Sequence, residues 1–321
     1  MNPYTGAHFF EFFRRFFLRL PDMVQALWQG ESLPSDEIQI LVLVSVALSC
    51  GWVGSLLVLR RMSMLANSLS HTILIGIASA FLLSQVGLGP ESLVEGAMPL
   101  TSMLVAAIIT GMLTTLATQG LVRWFRLHED ASTGLVFTTL FAAGIVLITL
   151  FTRNAHIGLE VVMGNADGLS LIDLKLAAVV LGLNLVLCLL FLRPYQLTTF
   201  DGGFSACLGI SSNLYGYLLM AQVALTAVAG FRAVGVLMVL ALLVGPTLAA
   251  RRWSRSLVQL LLWSGLLGSL CALGGVATSR ALLTTTQIAL STGACVIAWV
   301  SAITLIVLFC PHPNIWRRRA L

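Results

Sequence analysis

The chain has 321 residues, 58% of them hydrophobic and only 10% charged, with a formal net charge of +5 and a mean hydropathy of +0.96. Soluble domains carry about 25% charged residues, and a core of this size would still need a charged surface to dissolve. The composition places the chain in a lipid bilayer and excludes a soluble enzyme or a nucleic-acid reader, whatever the positive balance suggests.

Residues 7–20 read as an amphipathic interfacial helix. Glu11, Arg14, Arg15 and Arg19 form one stripe against Phe9, Phe10, Phe12, Phe13, Phe16 and Phe17, the pattern of a helix lying at the headgroup boundary. Residues 1–37 thus form an N-terminal segment, 38–310 a membrane domain and 311–321 a basic cytoplasmic tail. A spanning helix needs about 20 mostly apolar residues. Nine stretches qualify: about 38–59, 62–86, 98–122, 133–152, 172–192, 213–231, 233–250, 256–279 and 286–310. Between the second and third lies a short acidic loop, 87–97, with Glu91 and Glu95. The seventh stretch is short and holds Gly235 and the pair Gly245-Pro246, read as a helix kink, so the count is nine or eight. Residues 213–250 are too long for one helix, which predicts a turn near Arg232. The expected fold class is an all-α polytopic membrane protein.

Short cytoplasmic loops carry the excess of Lys and Arg. With nine spans, one side collects Arg60, Arg61, Arg123, Arg126, Arg193, Arg251, Arg252, Arg255, Arg317, Arg318 and Arg319, and the other only Arg153, Lys175, Arg232 and Arg280. The first side is read as cytoplasmic, which puts the C-terminal tail inside and residues 1–37 outside. The six cysteines, Cys50, Cys188, Cys207, Cys271, Cys295 and Cys310, show no CxxC spacing and read as small buried hydrophobes.

Energy must come from elsewhere. A Walker A loop needs Gly-Lys-Ser/Thr, and the one lysine, Lys175, is followed by Leu176. His128-Glu129-Asp130 lacks the second His of HExxH, and no GxSxG elbow is present. The chain is expected not to be an enzyme.

The spans are nearly bare of ionisable groups, which makes one exception informative. At about 1.5 Å of helical rise per residue, His71 lies about 15 Å beyond Arg61, near the bilayer midplane. Ser63, Asn67, Ser70 and His71 share one polar face, with Asn67 one turn before His71. An ionisable residue at that depth is a functional-site hypothesis. Imidazole and amide oxygen one turn apart can point at one transition-metal ion, or they can serve as interhelical hydrogen-bonding glue. Two ligands do not close a site, so a second copy or partner chain would complete it.

The run from Leu59 to His71 (LRRMSMLANSLSH) resembles the second-helix signature of the ABC-3 family, the permease subunits of ATP-binding cassette importers for manganese, zinc and iron. Three further blocks agree in order. Glu129-Asp130 followed, after Ala131, by STGLVFTTLFAAGI is similar to the family's acidic pair and fourth helix. Phe200 to Ile210 (FDGGFSACLGI) is similar to its cytoplasmic coupling segment, and Ala233 to Arg251 to its late helix with glycine and proline. The resemblance covers roughly residues 38–310.

It implies a permease of an inner-membrane metal importer, with no permanently bound cofactor and the metal ion as cargo. Its partners would be a separate ATPase subunit, a secreted or periplasmic metal-binding protein and a second permease chain. The family carries Asp and His on the metal path. Here His71 matches, while Asn67 stands where the family has Asp, which removes a negative charge and favours a heterodimer whose other permease supplies it. Asp201, Phe204, Ala206, Leu208 and Gly209 would form the ATPase-coupling segment. Because each Gly costs about 1 kcal/mol of helix propensity, its short helix is expected to begin at Phe204 rather than at Asp201, past Gly202 and Gly203, with Asp201 as a cap. The rival reading is an ion-coupled secondary transporter. No intramembrane carboxylate is visible to carry its coupling ion.

Overall fold

A computed structural model of the chain describes residues 9–29, 34–60, 62, 68, 72, 75–76, 79, 100–151, 166–287 and 290–309. The pair Asn67 and His71, the loop 87–97, Cys310 and the tail 311–321 lie outside them. The described residues form eleven helices: α1 Phe9–Gln29, α2 Ser35–Leu59, α3 Leu100–Phe125, α4 Glu129–Phe151, α5 Leu171–Leu190, α6 Leu192–Phe200, α7 Gly202–Cys207, α8 Ser212–Val234, α9 Val236–Arg251, α10 Leu257–Thr286 and α11 Thr292–Phe309. No strand occurs among them. The all-α membrane class is therefore observed.

The count of nine spans is not established. Among the described residues six helices are long and apolar enough to cross a bilayer, within α2, α4, α5, α8, α10 and α11, while α9 is shorter. The expected stretch 62–86 lies largely outside the described residues. The turn expected near Arg232 falls at Gly235, whose φ of 86° ends α8 and starts α9; glycine enters that region without steric cost. Helix α9 then runs through Gly245 and Pro246 to Arg251, so the break in this region is at Gly235.

The chain divides into two compact units, one of residues 1–55, 165–183 and 233–321 and the other of 56–164 and 184–232. In the first, α9, α10 and α11 pack on one another. Lipid tails are as apolar as side chains, so close approach and interhelical hydrogen bonds must drive this association. A Cβ on Gly275 would lie 2.3 Å from Val296 Cγ2, and one on Gly54 only 2.1 Å from the Leu243 carbonyl oxygen. The Ser55 and Ser264 hydroxyls lie 2.8 Å apart and both stand within hydrogen-bond distance of the Gly51 carbonyl, so one donates to that carbonyl and the other to its fellow hydroxyl.

At its other end α2 begins with two buried carboxylates, each 1% exposed. Asp36 pairs with Arg280, and Glu37 with Arg19 of α1 at 3.2 Å. Gln39 Nε2 donates to the Ala166 carbonyl at 2.7 Å and to Thr292 Oγ1 at 3.1 Å. The N-terminal helix is longer than expected, passing Pro21 and ending at Gln29. It also packs on α10 of its unit. Phe12, Phe16 and Met23 are buried, Phe9 stacks on Trp299, and Phe10, Phe17 and Leu18 stay exposed. The reading of cysteines as buried hydrophobes holds for Cys50, Cys188, Cys271 and Cys295; Cys207 is exposed on α7.

In the second unit α3 packs on α4. Ser68 and Thr72 are buried, Thr114 Oγ1 donates to Thr72 Oγ1 at 3.1 Å, and a Cβ on Gly76 would meet Thr110 Oγ1 at 2.2 Å. Asn184 on α5 donates to Thr226 on α8 at 2.7 Å.

Candidate functional site

Among the described residues no group of three or more His, Cys, Asp or Glu could hold a metal ion. Asn67 and His71, the expected metal contacts, are not among those residues. Their sequence neighbours Ser68 and Thr72 belong to the second unit and are buried there.

The segment around Asp201 is fully described, and each of its residues has a local reason for its place. Helix α6 is held to α8 by Tyr195, which is completely buried and donates its hydroxyl to Gln222 Oε1 at 2.6 Å. Burial pushes the Tyr195 phenol above its usual pKa, so the hydroxyl keeps its proton. Asp201 ends α6 and caps α7, its Oδ1 accepting the Phe204 backbone N–H at 2.8 Å. The cap is as expected, but the helix begins at Gly202, two residues before Phe204. The carboxylate satisfies one orphan donor of the first turn, worth about 1 kcal/mol, which offsets the propensity cost of a glycine there.

The far end of α7 is closed just as specifically. Ile210 N–H donates to the Ser205 carbonyl at 2.8 Å and Gly209 N–H to the Ala206 carbonyl at 3.0 Å. Gly209 has φ of 75°. This is the Schellman arrangement, which needs a left-handed residue at that position. Sequence reasoning carried Gly209 over by resemblance alone; the spacing of Asp201 and Gly209 around seven residues was the signal for a helix closed at both ends.

The result is a short, fixed helix presenting apolar groups. Phe200, Phe204 and Leu208, spaced four residues apart, are 67%, 53% and 55% exposed, and Ala206 is exposed beside them. Neither α6 nor α7 is among the helices long and apolar enough to cross a bilayer, and exposed apolar groups gathered in this way are the kind of surface that takes a protein or membrane contact.

Next to α6 lies a cavity of about 470 Å³, lined by Leu59, Arg60, Met62, Thr115, Thr118, Gln119, Val122, Arg123, Asp130, Thr133, Thr198, Thr199, Ser212, Asn213 and Gly216, all of the second unit. Arg60 reaches Thr198 Oγ1 with Nη2 at 2.6 Å and Thr199 Oγ1 with Nε at 3.2 Å. Its charge centre stands 6.0 Å from the Tyr195 ring centroid. Burial lowers the pKa of this guanidinium from its usual value, with Tyr195 opposing. The lining offers oxygen ligands and two fixed positive charges but neither imidazole nor thiolate, a poor resting place for a transition-metal ion. Neither the cavity nor the Arg60 contacts had a sequence signal beyond the basic pair at the end of a span.

The ABC 3 transport family matches residues 37–311 of the chain. A "probable metal transport system membrane protein" of Chlamydia trachomatis is 36% identical over 323 residues, covering 100% of this chain and 98% of that one. The "manganese transport system membrane protein MntD" of Bacillus subtilis is 36% identical over 245 residues, covering 72% of this chain and 79% of that one. Among solved structures, "PsaBC from Streptococcus pneumoniae in complex with Fab" superposes with a TM-score of 0.72 at 21% identity, covering 94% of this chain and 100% of that one; it shares the fold.

Proposed function

Because the chain belongs to the ABC 3 transport family, we propose that it is the membrane-spanning permease of an ATP-binding cassette importer that carries a divalent transition metal across the bacterial inner membrane into the cytoplasm. A separate ATPase subunit supplies the energy, and the chain itself catalyses no reaction. The observation that carries this reading is the exposed apolar set Phe200, Phe204 and Leu208, placed at the end of α6, on α7 and at the C-cap of α7, a helix fixed at both ends. The ATPase docks there, and its ATP-driven movement alternates access to the metal path.

On that path His71 is the imidazole contact. Asn67 offers a neutral oxygen where the family has a carboxylate, and a neutral amide holds a dication less firmly than a carboxylate does. A second, related permease chain supplies the missing acid, and an extracytoplasmic metal-binding protein delivers the ion. Borderline ligands discriminate poorly along the first-row series, so selectivity among manganese, zinc and iron rests largely with the delivery protein. Similarity to a manganese permease supports manganese as the first ion to test.

Co-purification tests the docking reading. The wild-type chain should bring down its ATPase subunit, and Phe204→Glu with Leu208→Glu should reduce that association at least tenfold while the permease still folds. Unchanged association in the double variant would move the docking face elsewhere.

A further inference from the structure

Arg60 is the first residue after α2, and its guanidinium fork engages two consecutive hydroxyls of α6, Thr198 and Thr199. Thr198 Oγ1 donates its own proton to the Pro194 carbonyl at 2.8 Å, which leaves its lone pairs for the guanidinium. Among the described residues no carboxylate pairs with Arg60, so these hydroxyls fix its geometry. Gly216 of α8 lies beside the group, where a Cβ would stand 3.4 Å from Nη1, an ordinary van der Waals distance. Two residues beyond Thr199 comes Asp201, whose N–H bonds back to the Leu197 carbonyl at 2.9 Å and whose carboxylate starts α7. Arg60, Thr198 and Thr199 also line the cavity, so on that side the end of α2 meets α6 through a polar fork bordering open space.

We propose that Arg60 is a positioning residue that ties the ATPase-docking segment to the end of α2, so that movement of α6 and α7 is handed to the membrane helices through its two hydrogen bonds. The inference rests on the docking reading above. A planar fork with fixed donors transmits direction as well as attraction, which a single ammonium point charge does not.

The test uses the full complex in proteoliposomes, with its ATPase subunit, its metal-binding protein and whichever of manganese(II), zinc(II) or iron(II) gives the highest wild-type uptake. The readout is metal moved per ATP hydrolysed. Arg60→Ala should lower that ratio at least tenfold while the ATPase co-purifies in wild-type proportion. The isosteric pair Thr198→Val and Thr199→Val should give the same drop, and adding Arg60→Ala to it should give no more. Thr198→Ser with Thr199→Ser should restore the ratio. If Arg60→Ala does not assemble, the threonine pair decides by itself. A wild-type ratio in either assembled variant, or losses that multiply when combined, would overturn the inference while leaving the docking reading intact. Failure of the wild-type chain to bind the ATPase would overturn both.

Discussion

Asp201 accepts the backbone N–H of Phe204 at 2.8 Å, and this one contact sets where the exposed helix α7 begins. Removing it with Asp201→Ala should cost about 1 kcal/mol of local helix stability. It should weaken ATPase association several-fold without changing the melting of the whole chain, because the segment is short and exposed. Asp201→Asn, which keeps a capping oxygen, should bind nearly as wild type. Titration of the purified permease with its ATPase subunit measures both.

At the other end of α7 the constraint is conformational. Nothing lies within 4 Å of a Cβ built on Gly209, yet its φ is 75°. Gly209→Ala should therefore cost about 1 kcal/mol through backbone strain, with no steric clash to relieve. Transport should fall modestly, and Gly209→Asn should be milder than Gly209→Ala, because Asn tolerates the left-handed region better. Uptake assays on the three variants give the order expected: Gly, then Asn, then Ala.

Gly54 makes a contrasting prediction. Its missing side chain lets α2 meet the α9 backbone at Leu243, where a Cβ would come within 2.1 Å of a carbonyl oxygen. Overpacking of this kind costs about 1–3 kcal/mol, and a carbonyl cannot yield as a flexible side chain does. Gly54→Ala should lower the melting temperature of the detergent-purified chain by several degrees, and Gly54→Val should prevent accumulation in the membrane.

His71→Ala should abolish metal uptake at least a hundredfold while the variant still assembles with its ATPase. Asn67→Asp should retain or raise metal affinity, since it restores a carboxylate to the path. Wild-type uptake by His71→Ala would leave His71 as interhelical hydrogen-bonding glue.

Much of the fold was legible in the sequence, because bilayer thickness imposes a length on every apolar run. The stretches 38–59, 172–192 and 286–310 reappear within about six residues as Ser35–Leu59, Leu171–Leu190 and Thr292–Phe309. Asp201 was legible as a cap because its chemistry is local. The start of α7 was missed because glycine propensity was weighed without the cap's compensation. The longer α1 was missed because Pro21 reads as a stop, whereas burial of Met23 beyond it comes from tertiary packing. The pairs Asp36–Arg280 and Arg60–Thr198 join residues far apart in sequence, and no periodicity can announce such contacts.

The most direct measurement is ATP hydrolysis by the reconstituted complex, made ion by ion in the presence of the metal-binding protein. Stimulation by manganese, zinc or iron, with none by magnesium or calcium and with uptake that stops when ATP is removed, is the result expected of a metal importer driven by a docked ATPase. Uptake that survives ATP depletion and collapses with an uncoupler would contradict it and would make the chain an ion-coupled transporter.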